Sequence, residues 1–137
     1  MFRESENDQV LVSSDVQSSK SLGGVLLIVE DYEKMRLFFA RHFEKNGYRV
    51  YSAARVGDAE SLAHSVLPNV VLIDYDLERE NAYEAVKKLH LVVPGARIIV
   101  FGGVESDEIR SKIVALGGTD FVPHGYDIEK LDSLIQR

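Results

Sequence analysis

Acidic side chains follow two of the apolar segments of this sequence. The run VLLIV at 25–29 leads into Glu30 and Asp31, and the run VVLI at 70–73 leads into Asp74. Carboxylates that crowd together repel one another, so that one of them takes up a proton or a cation joins them. Magnesium suits an all-oxygen site that keeps several waters. With a metal beside it, Asp74 has the chemistry of a nucleophile toward phosphorus.

Each of these acids, taken alone, has an ordinary explanation, because strand ends meet solvent and acids there often cap the following helix. Three acids at the ends of two apolar runs favour a shared site instead. A further acid, Asp76, lies two residues after Asp74. Its side chain is either solvated, or it adds negative charge that disfavours a bound dianion or holds a water for hydrolysis.

The elements that must position these acids alternate along the chain. Apolar runs predict strands at 25–29, 70–73 and 98–101, and mixed segments predict two more at 48–53 and 119–122. Between them, apolar residues recur at helical spacing and predict five helices. The five stripes are Met35, Phe38, Phe39 and Phe43; Val56, Ala59, Leu62, Ala63 and Val66; Ala82, Ala85, Val86 and Leu89; Ile109, Ile113 and Leu116; and Ile128, Leu131 and Ile135.

The polarity of the strands predicts their order in the sheet. Strands that are apolar throughout are typical of the interior, and the two mixed strands belong at the edges. Alternating strands and helices with right-handed crossovers then give a parallel sheet in the order 2-1-3-4-5 between two helical layers. This is the flavodoxin-like (βα)5 three-layer α/β sandwich, whose ligands bind where the winding reverses. That point lies between strands one and three, where Glu30, Asp31 and Asp74 are expected.

Size and composition limit the function. The chain has 137 residues, of which 45% are apolar, and this predicts one domain at 24–137 after a flexible, polar leader at 1–23. A net charge of −6 argues against direct nucleic-acid binding by this domain, and the absence of Cys excludes disulfides and thiolate metal sites. No apolar run is long enough for a membrane span or a signal peptide. These features predict a cytoplasmic protein without membrane contact.

Three segments, VLLIVEDY, VVLIDYDL and ALGGTDFV, resemble in this order the receiver domain of bacterial response regulators. The resemblance covers residues 24–136. It implies two-component signalling, in which Asp74 accepts a phosphoryl group from a histidine kinase or a phosphotransfer protein. It also implies that Glu30 and Asp31 bind Mg²⁺ together with Asp74. The backbone carbonyl of Asp76 is implied as a further metal ligand.

The sequence departs from the family at its switch positions. The family places Thr or Ser after the fourth strand, where this chain has Gly102, and Lys then cis-Pro after the fifth, where it has His124 and Gly125. His124 either donates, when protonated, to an anionic oxygen or is an exposed loop histidine. Gly102 and Gly103 either offer backbone N–H groups to a phosphoryl oxygen or make a tight strand exit. Phe121 has the position of the family's switch aromatic, which is also an ordinary core position.

Three functions follow from these features. The intact acids favour a Mg²⁺-dependent phosphoacceptor that signals. The missing hydroxyl and Lys favour a degenerate receiver that works as a phosphorylation-independent interaction module. The sequence Asp-Tyr-Asp at 74–76 also resembles the motif of aspartate-based phosphatases, but those are longer and carry it on their first core strand, so no turnover enzyme is expected. The family commonly dimerises through helix four, strand five and helix five, which predicts a homodimer through that face.

Overall fold

The structure is a computed structural model that describes residues 24–123 and 127–136. The predicted leader at 1–23 and the switch position His124 lie outside the described residues. Within these described ranges there are five strands: β1 (Val25–Val29), β2 (Arg49–Ala53), β3 (Val70–Asp74), β4 (Arg97–Phe101) and β5 (Asp120–Val122). Five helices alternate with them: α1 (Glu33–Lys45), α2 (Val56–Val66), α3 (Ala82–Val92), α4 (Asp107–Ala115) and α5 (Ile128–Ile135). None of these helices is long and apolar enough to cross a bilayer.

The strands form one parallel sheet in the order β2-β1-β3-β4-β5. This confirms the order predicted from strand polarity. The interior strands β1, β3 and β4 bury nearly every side chain, whereas the edge strand β2 leaves most of its residues partly exposed. The parallel sheet with helices on both faces makes the domain a flavodoxin-like α/β sandwich.

Each face of the sheet has its own hydrophobic core, because successive side chains of a strand point to opposite sides. From β1, Leu27 and Val29 pack among residues of α2, α3 and α4, and Leu26 and Ile28 pack among residues of α1 and α5. Continuous apolar runs are therefore required in the central strands. Each apolar run ends where the helices no longer cover the sheet. The first polar residues therefore lie at the carboxyl edge of the sheet.

The predicted stripe of α1 is partly wrong. Phe39 and Phe43 are fully buried, but Phe38 is 53% exposed. Successive helical residues lie about 100° apart around the axis, so that Phe38 falls at the margin of a helix whose buried face is centred on the other two rings. The Phe38 ring stacks along the helix beside His42, with 6.4 Å between ring centroids. In α3, by contrast, all four residues of the predicted stripe are buried.

The register of the sheet brings the acids together. Val29, the last residue of β1, lies opposite Ile73 in β3, so the residue after β1 lies beside Asp74. Asp74 itself lies opposite Phe101, the last residue of β4. The loops after β1, β3 and β4 therefore leave the sheet side by side, and side chains from three separate parts of the sequence meet at this edge.

Neighbouring phenylalanines of α1 test the packing of this layer. We expect Phe39→Ala to lower the free energy of unfolding by about 3–5 kcal/mol, because it removes a buried ring and leaves a cavity. The matched control Phe38→Ala should change it by no more than about 0.5 kcal/mol, as expected for an exposed site. Urea unfolding followed by circular dichroism measures both. Equal losses in the two variants would contradict the packing of α1 described above.

Candidate functional site

Three carboxylates converge at the carboxyl edge of the sheet. Glu30 and Asp31 follow β1, and Asp74 ends β3; each offers one oxygen, and the three oxygens lie within 4.8 Å of one another. Glu30 is only 3% exposed and Asp74 only 8% exposed, and they are the two buried charged residues of the described chain. The structure thus brings together the three acids that the sequence singled out.

Glu30 is held in place by backbone contacts on both sides. Its backbone N–H donates to the carbonyl of Ala53 in β2, at 3.0 Å, which extends the pairing of the strands by one residue. Its Oε2 accepts from the backbone N–H of Tyr32 at 3.1 Å, and its carbonyl accepts from Nη1 of Arg36 at 2.8 Å. The carboxylate is therefore fixed at the start of the loop that leads into α1.

Asp74 and Asp31 each use one carboxylate oxygen to order the loop after β3. Oδ1 of Asp74 accepts from the backbone N–H of Asp76 at 2.8 Å. Oδ2 of Asp31 accepts from the backbone N–H of Glu78 at 2.7 Å. These contacts tie the β3–α3 loop to the ends of both strands. The carboxylates have further lone pairs for a ligand, because an ionised carboxylate accepts about four hydrogen bonds.

The burial of these acids disfavours their charged forms. Burial raises the pKa of Glu30 to about 8; the N–H of Tyr32 opposes this rise, and the nearby charges of Asp74 and Asp31 add to it. Burial is also the main reason why the pKa of Asp74 is raised, and the N–H of Asp76 lowers it. Without a cation, the group of three therefore holds a proton near neutral pH.

The donor set fits a small divalent cation. Oxygens around Mg²⁺ in an octahedron lie about 2.9–4.1 Å apart, so three oxygens within 4.8 Å need only a small inward movement to share one ion. The raised pKa of Glu30 shows that its negative charge is poorly compensated within the protein. A bound cation would supply that compensation in place of the proton.

Gly102 borders the acids but brings no functional group. Its φ is +101°, a backbone shape that favours glycine. A Cβ at this position would lie 3.1 Å from Oδ2 of Asp76 and 3.2 Å from Oδ1 of Asp74. The position expected from the family to carry a hydroxyl therefore faces both carboxylates without one.

Phe121 lies in the core behind the site. It is 2% exposed, and its ring centroid lies 6.1 Å from that of Tyr75, the residue that follows Asp74. The guanidinium of Arg110 lies 5.4 Å from the ring centroid, and Nη1 of Arg110 also donates to the carbonyl of Phe121 at 3.1 Å. The Tyr75 hydroxyl lies 3.3 Å from that of Tyr83 in α3. Aromatic packing thus connects the residue beside Asp74 with β5 and α3.

Sequence reasoning missed the contacts that cross between loops. Oε1 of Glu80 accepts from the backbone N–H of Val56 at the start of α2, at 3.0 Å. Oδ2 of Asp76 accepts from the backbone N–H of Gly103 at 3.0 Å. No local pattern predicts either contact, because the two partners are 24 or 27 residues apart in the chain. Beside these loops, a cleft of about 370 Å³ borders Asp31 and includes Arg55 among its lining residues.

Comparison with known proteins identifies the family. Residues 26–136 match the sequence pattern of the family described as "Response regulator receiver domain". An α/β sandwich with acids at its switch point is the architecture observed here, and the chain belongs to this family. The photosynthetic apparatus regulatory protein RegA of Rhodobacter capsulatus is 28% identical over 110 residues, which are 80% of this chain. The chemotaxis protein CheY of Thermotoga maritima is 28% identical over 102 residues, which are 74% of this chain.

The match covers different shares of these relatives. It includes 60% of RegA and 85% of CheY, so the chain spans only part of the length of RegA. Among solved structures, a response regulator protein from Burkholderia pseudomallei shares the fold with a TM-score of 0.76 and 24% identity. That likeness covers 82% of this chain and 66% of the other, and the other structure is described with a phosphorylated aspartic acid, a calcium ion and citrate.

The raised pKa of Glu30 predicts a pH-dependent stability in metal-free protein. The folded state holds this proton more tightly than the unfolded chain, whose glutamate has a pKa of 4.5. The resulting stabilisation is complete below pH 4.5 and is lost as the pH rises through about 8. In EDTA, we expect Glu30→Gln to gain stability over the wild type as the pH rises from 5 to 9.

Urea unfolding at several pH values measures this difference. Glu84→Gln, which removes an exposed acid from the first turn of α3, controls for the loss of one negative charge. A gap between Glu30→Gln and the wild type that stays constant with pH would contradict the assignment of a raised pKa to Glu30.

Proposed function

We propose that this receiver domain accepts a phosphoryl group on Asp74, in the presence of Mg²⁺, from the phosphohistidine of a histidine kinase or a phosphotransfer protein. The observation that carries the proposal is the convergence of Glu30, Asp31 and Asp74 oxygens within 4.8 Å. The phosphorylated aspartic acid described for the Burkholderia response regulator supports it by analogy of fold. The proposed receiver domain is the segment 24–137, and the proposed leader is 1–23.

Each acid has a proposed role. Glu30 and Asp31 would hold Mg²⁺ together with Asp74 and the backbone carbonyl of Asp76. The ion, when bound, neutralises negative charge that develops on the phosphoryl oxygens. A carboxylate oxygen of Asp74 attacks phosphorus and forms a P–O bond as the P–N bond to the donor histidine breaks. The imidazole nitrogen keeps the electron pair of the broken bond and takes up a proton.

The switch positions make the proposed signal different from that of the typical family member. Gly102 provides no hydroxyl to a phosphoryl oxygen, and the loss of such a neutral hydrogen bond is worth about 1 kcal/mol. A nearly complete change between two states needs about 5.5 kcal/mol of differential binding. The lost hydroxyl contact is thus about a fifth of what a full switch requires, and the missing Lys removes a charged hydrogen bond worth about 1.5–3 kcal/mol more. We propose Phe121 as the aromatic switch residue and His124 as the replacement for the missing Lys.

A second candidate function is a phosphorylation-independent interaction module. Two observations at one loop favour it: Gly102 lacks a hydroxyl, and the N–H of Gly103 is already bonded to Asp76. In this case the domain presents a fixed surface to a partner protein. A homodimer through α4, β5 and α5 remains a prediction under either function.

Magnesium binding is the first test. Millimolar Mg²⁺ should shift the NMR signals of Tyr32 and Tyr75, because each directly follows a proposed ligand and the backbone N–H of Tyr32 contacts Glu30. Asp31→Asn should abolish the shifts, because it removes one ligand charge. Shifts of equal size in this variant would contradict a site shared by the three acids.

Phosphoryl transfer is the second test. With Mg²⁺ and a small phosphodonor such as acetyl phosphate, we expect the intact protein to gain the mass of one phosphoryl group, and peptide mapping should assign it to Asp74. Asp74→Asn is the matched control and should gain none. A protein that binds Mg²⁺ but forms no adduct with either the phosphodonor or fluoroberyllate would support the interaction module instead.

A further inference from the structure

The side chain of Asp76 contacts the loop after β4. Its Oδ2 accepts from the backbone N–H of Gly103 at 3.0 Å. The other glycine N–H of this loop, that of Gly102, donates to the carbonyl of Val122 in β5 at 2.9 Å. Both N–H groups that the sequence offered to a phosphoryl oxygen therefore have partners already. Only the contact with Asp76 lies on the side of the three acids.

Asp76 and Asp74 border the same space. One point, the Cβ position of Gly102, lies 3.1 Å from Oδ2 of Asp76 and 3.2 Å from Oδ1 of Asp74. A phosphoryl group that Asp74 carries on this side would meet the carboxylate of Asp76. It would also compete with that carboxylate for the N–H of Gly103. Because a phosphoryl group brings about −1.5 to −2 charges, the two anions repel each other at this distance.

The loop itself is shaped to keep this contact. Gly102 and Gly103 have φ values of +101° and +79°, which side-chain-bearing residues rarely adopt. A Cβ on Gly103 would come within 2.7 Å of the Tyr75 ring, so the loop packs closely on that ring. Tyr75 and Asp76 are neighbours in the chain and hold the loop together, one through packing and the other through a hydrogen bond.

We infer that the Asp76 carboxylate takes the place of a phosphoryl group at the β4–α4 loop. It accepts the hydrogen bond from the Gly103 N–H, and it thereby keeps the loop in the position that a phosphoryl group on Asp74 would otherwise stabilise. The inference rests on the proposed function of Asp74. Two consequences follow. The loop is in its anion-bound position before any phosphorylation, and a phosphoryl group must displace Asp76 in order to reach the same N–H.

Binding of fluoroberyllate in the presence of Mg²⁺, followed by fluorine NMR, tests this competition. Asp76→Ala removes both the charge and the hydrogen-bond acceptor, and we expect it to bind the anion about tenfold to a hundredfold more tightly than the wild type. Asp76→Asn keeps an acceptor for Gly103 but loses the charge, and it should be intermediate. Glu78→Gln removes an exposed charge from the same loop and should match the wild type.

The amide signal of Gly103 gives a second readout that does not depend on the bound anion. In Asp76→Ala without ligand, this signal should shift and its hydrogen exchange should become faster, because the N–H loses its acceptor. In Glu78→Gln it should stay unchanged. A Gly103 amide that does not respond to Asp76→Ala would overturn the inference.

The results separate this inference from the proposed function. Tighter binding by the two Asp76 variants supports the inference, including the case in which only they bind. Equal or weaker binding by these variants, when the wild type forms the adduct, overturns the inference and leaves the proposed function intact. If neither the wild type nor any variant binds the anion while Mg²⁺ binding persists, both are overturned.

Discussion

The burial of Glu30 beside Asp74 is the constraint from which the character of this site follows. Two acids are placed where the apolar strands β1 and β3 end, and the core on each side keeps water away from them. Burial raises the pKa of both carboxyls. Such a pair is stable only with a shared proton or a nearby cation. Burial by the core is therefore the reason why Glu30 and Asp74 require a proton or a cation at this edge of the sheet.

The loops around this edge are ordered by one recurring contact. In three places among the described residues, a carboxylate from one loop accepts a backbone N–H from another segment: Asp31 from Glu78, Glu80 from Val56, and Asp76 from Gly103. Carboxylates make stronger hydrogen bonds than neutral acceptors. The loops at the carboxyl edge are thus ordered by the protein's own carboxylates, and these carboxylates add negative charge around Glu30, Asp31 and Asp74. The proposed Mg²⁺ binding and the inferred competition between Asp76 and a phosphoryl group both follow from this excess of negative charge.

The replacement of the hydroxyl position by Gly102 has to be considered together with Asp76. Any side chain at position 102 would lie against two carboxylates, and the backbone there has a positive φ. The glycine and the Asp76 contact are therefore compatible with each other, whereas a Thr or Ser in this backbone shape would be strained and crowded. Behind them, the Tyr75 ring packs against Phe121, and its hydroxyl forms a hydrogen bond with that of Tyr83. The β4–α4 loop therefore packs against a continuous aromatic cluster.

The order of the strands and the convergence of Glu30, Asp31 and Asp74 can be predicted from the amino-acid sequence alone. Apolar runs can be recognised locally, and a parallel sheet brings the ends of its strands to one edge whatever the loops do. The exposure of Phe38 and the hydrogen bond between Asp76 and Gly103 become visible only in the folded protein. These features depend on how a helix is rotated on the sheet and on contacts between residues far apart in the chain. The spacing of residues in the sequence specifies neither the rotation of a helix nor these distant contacts, because both are set by the packing of several elements at once.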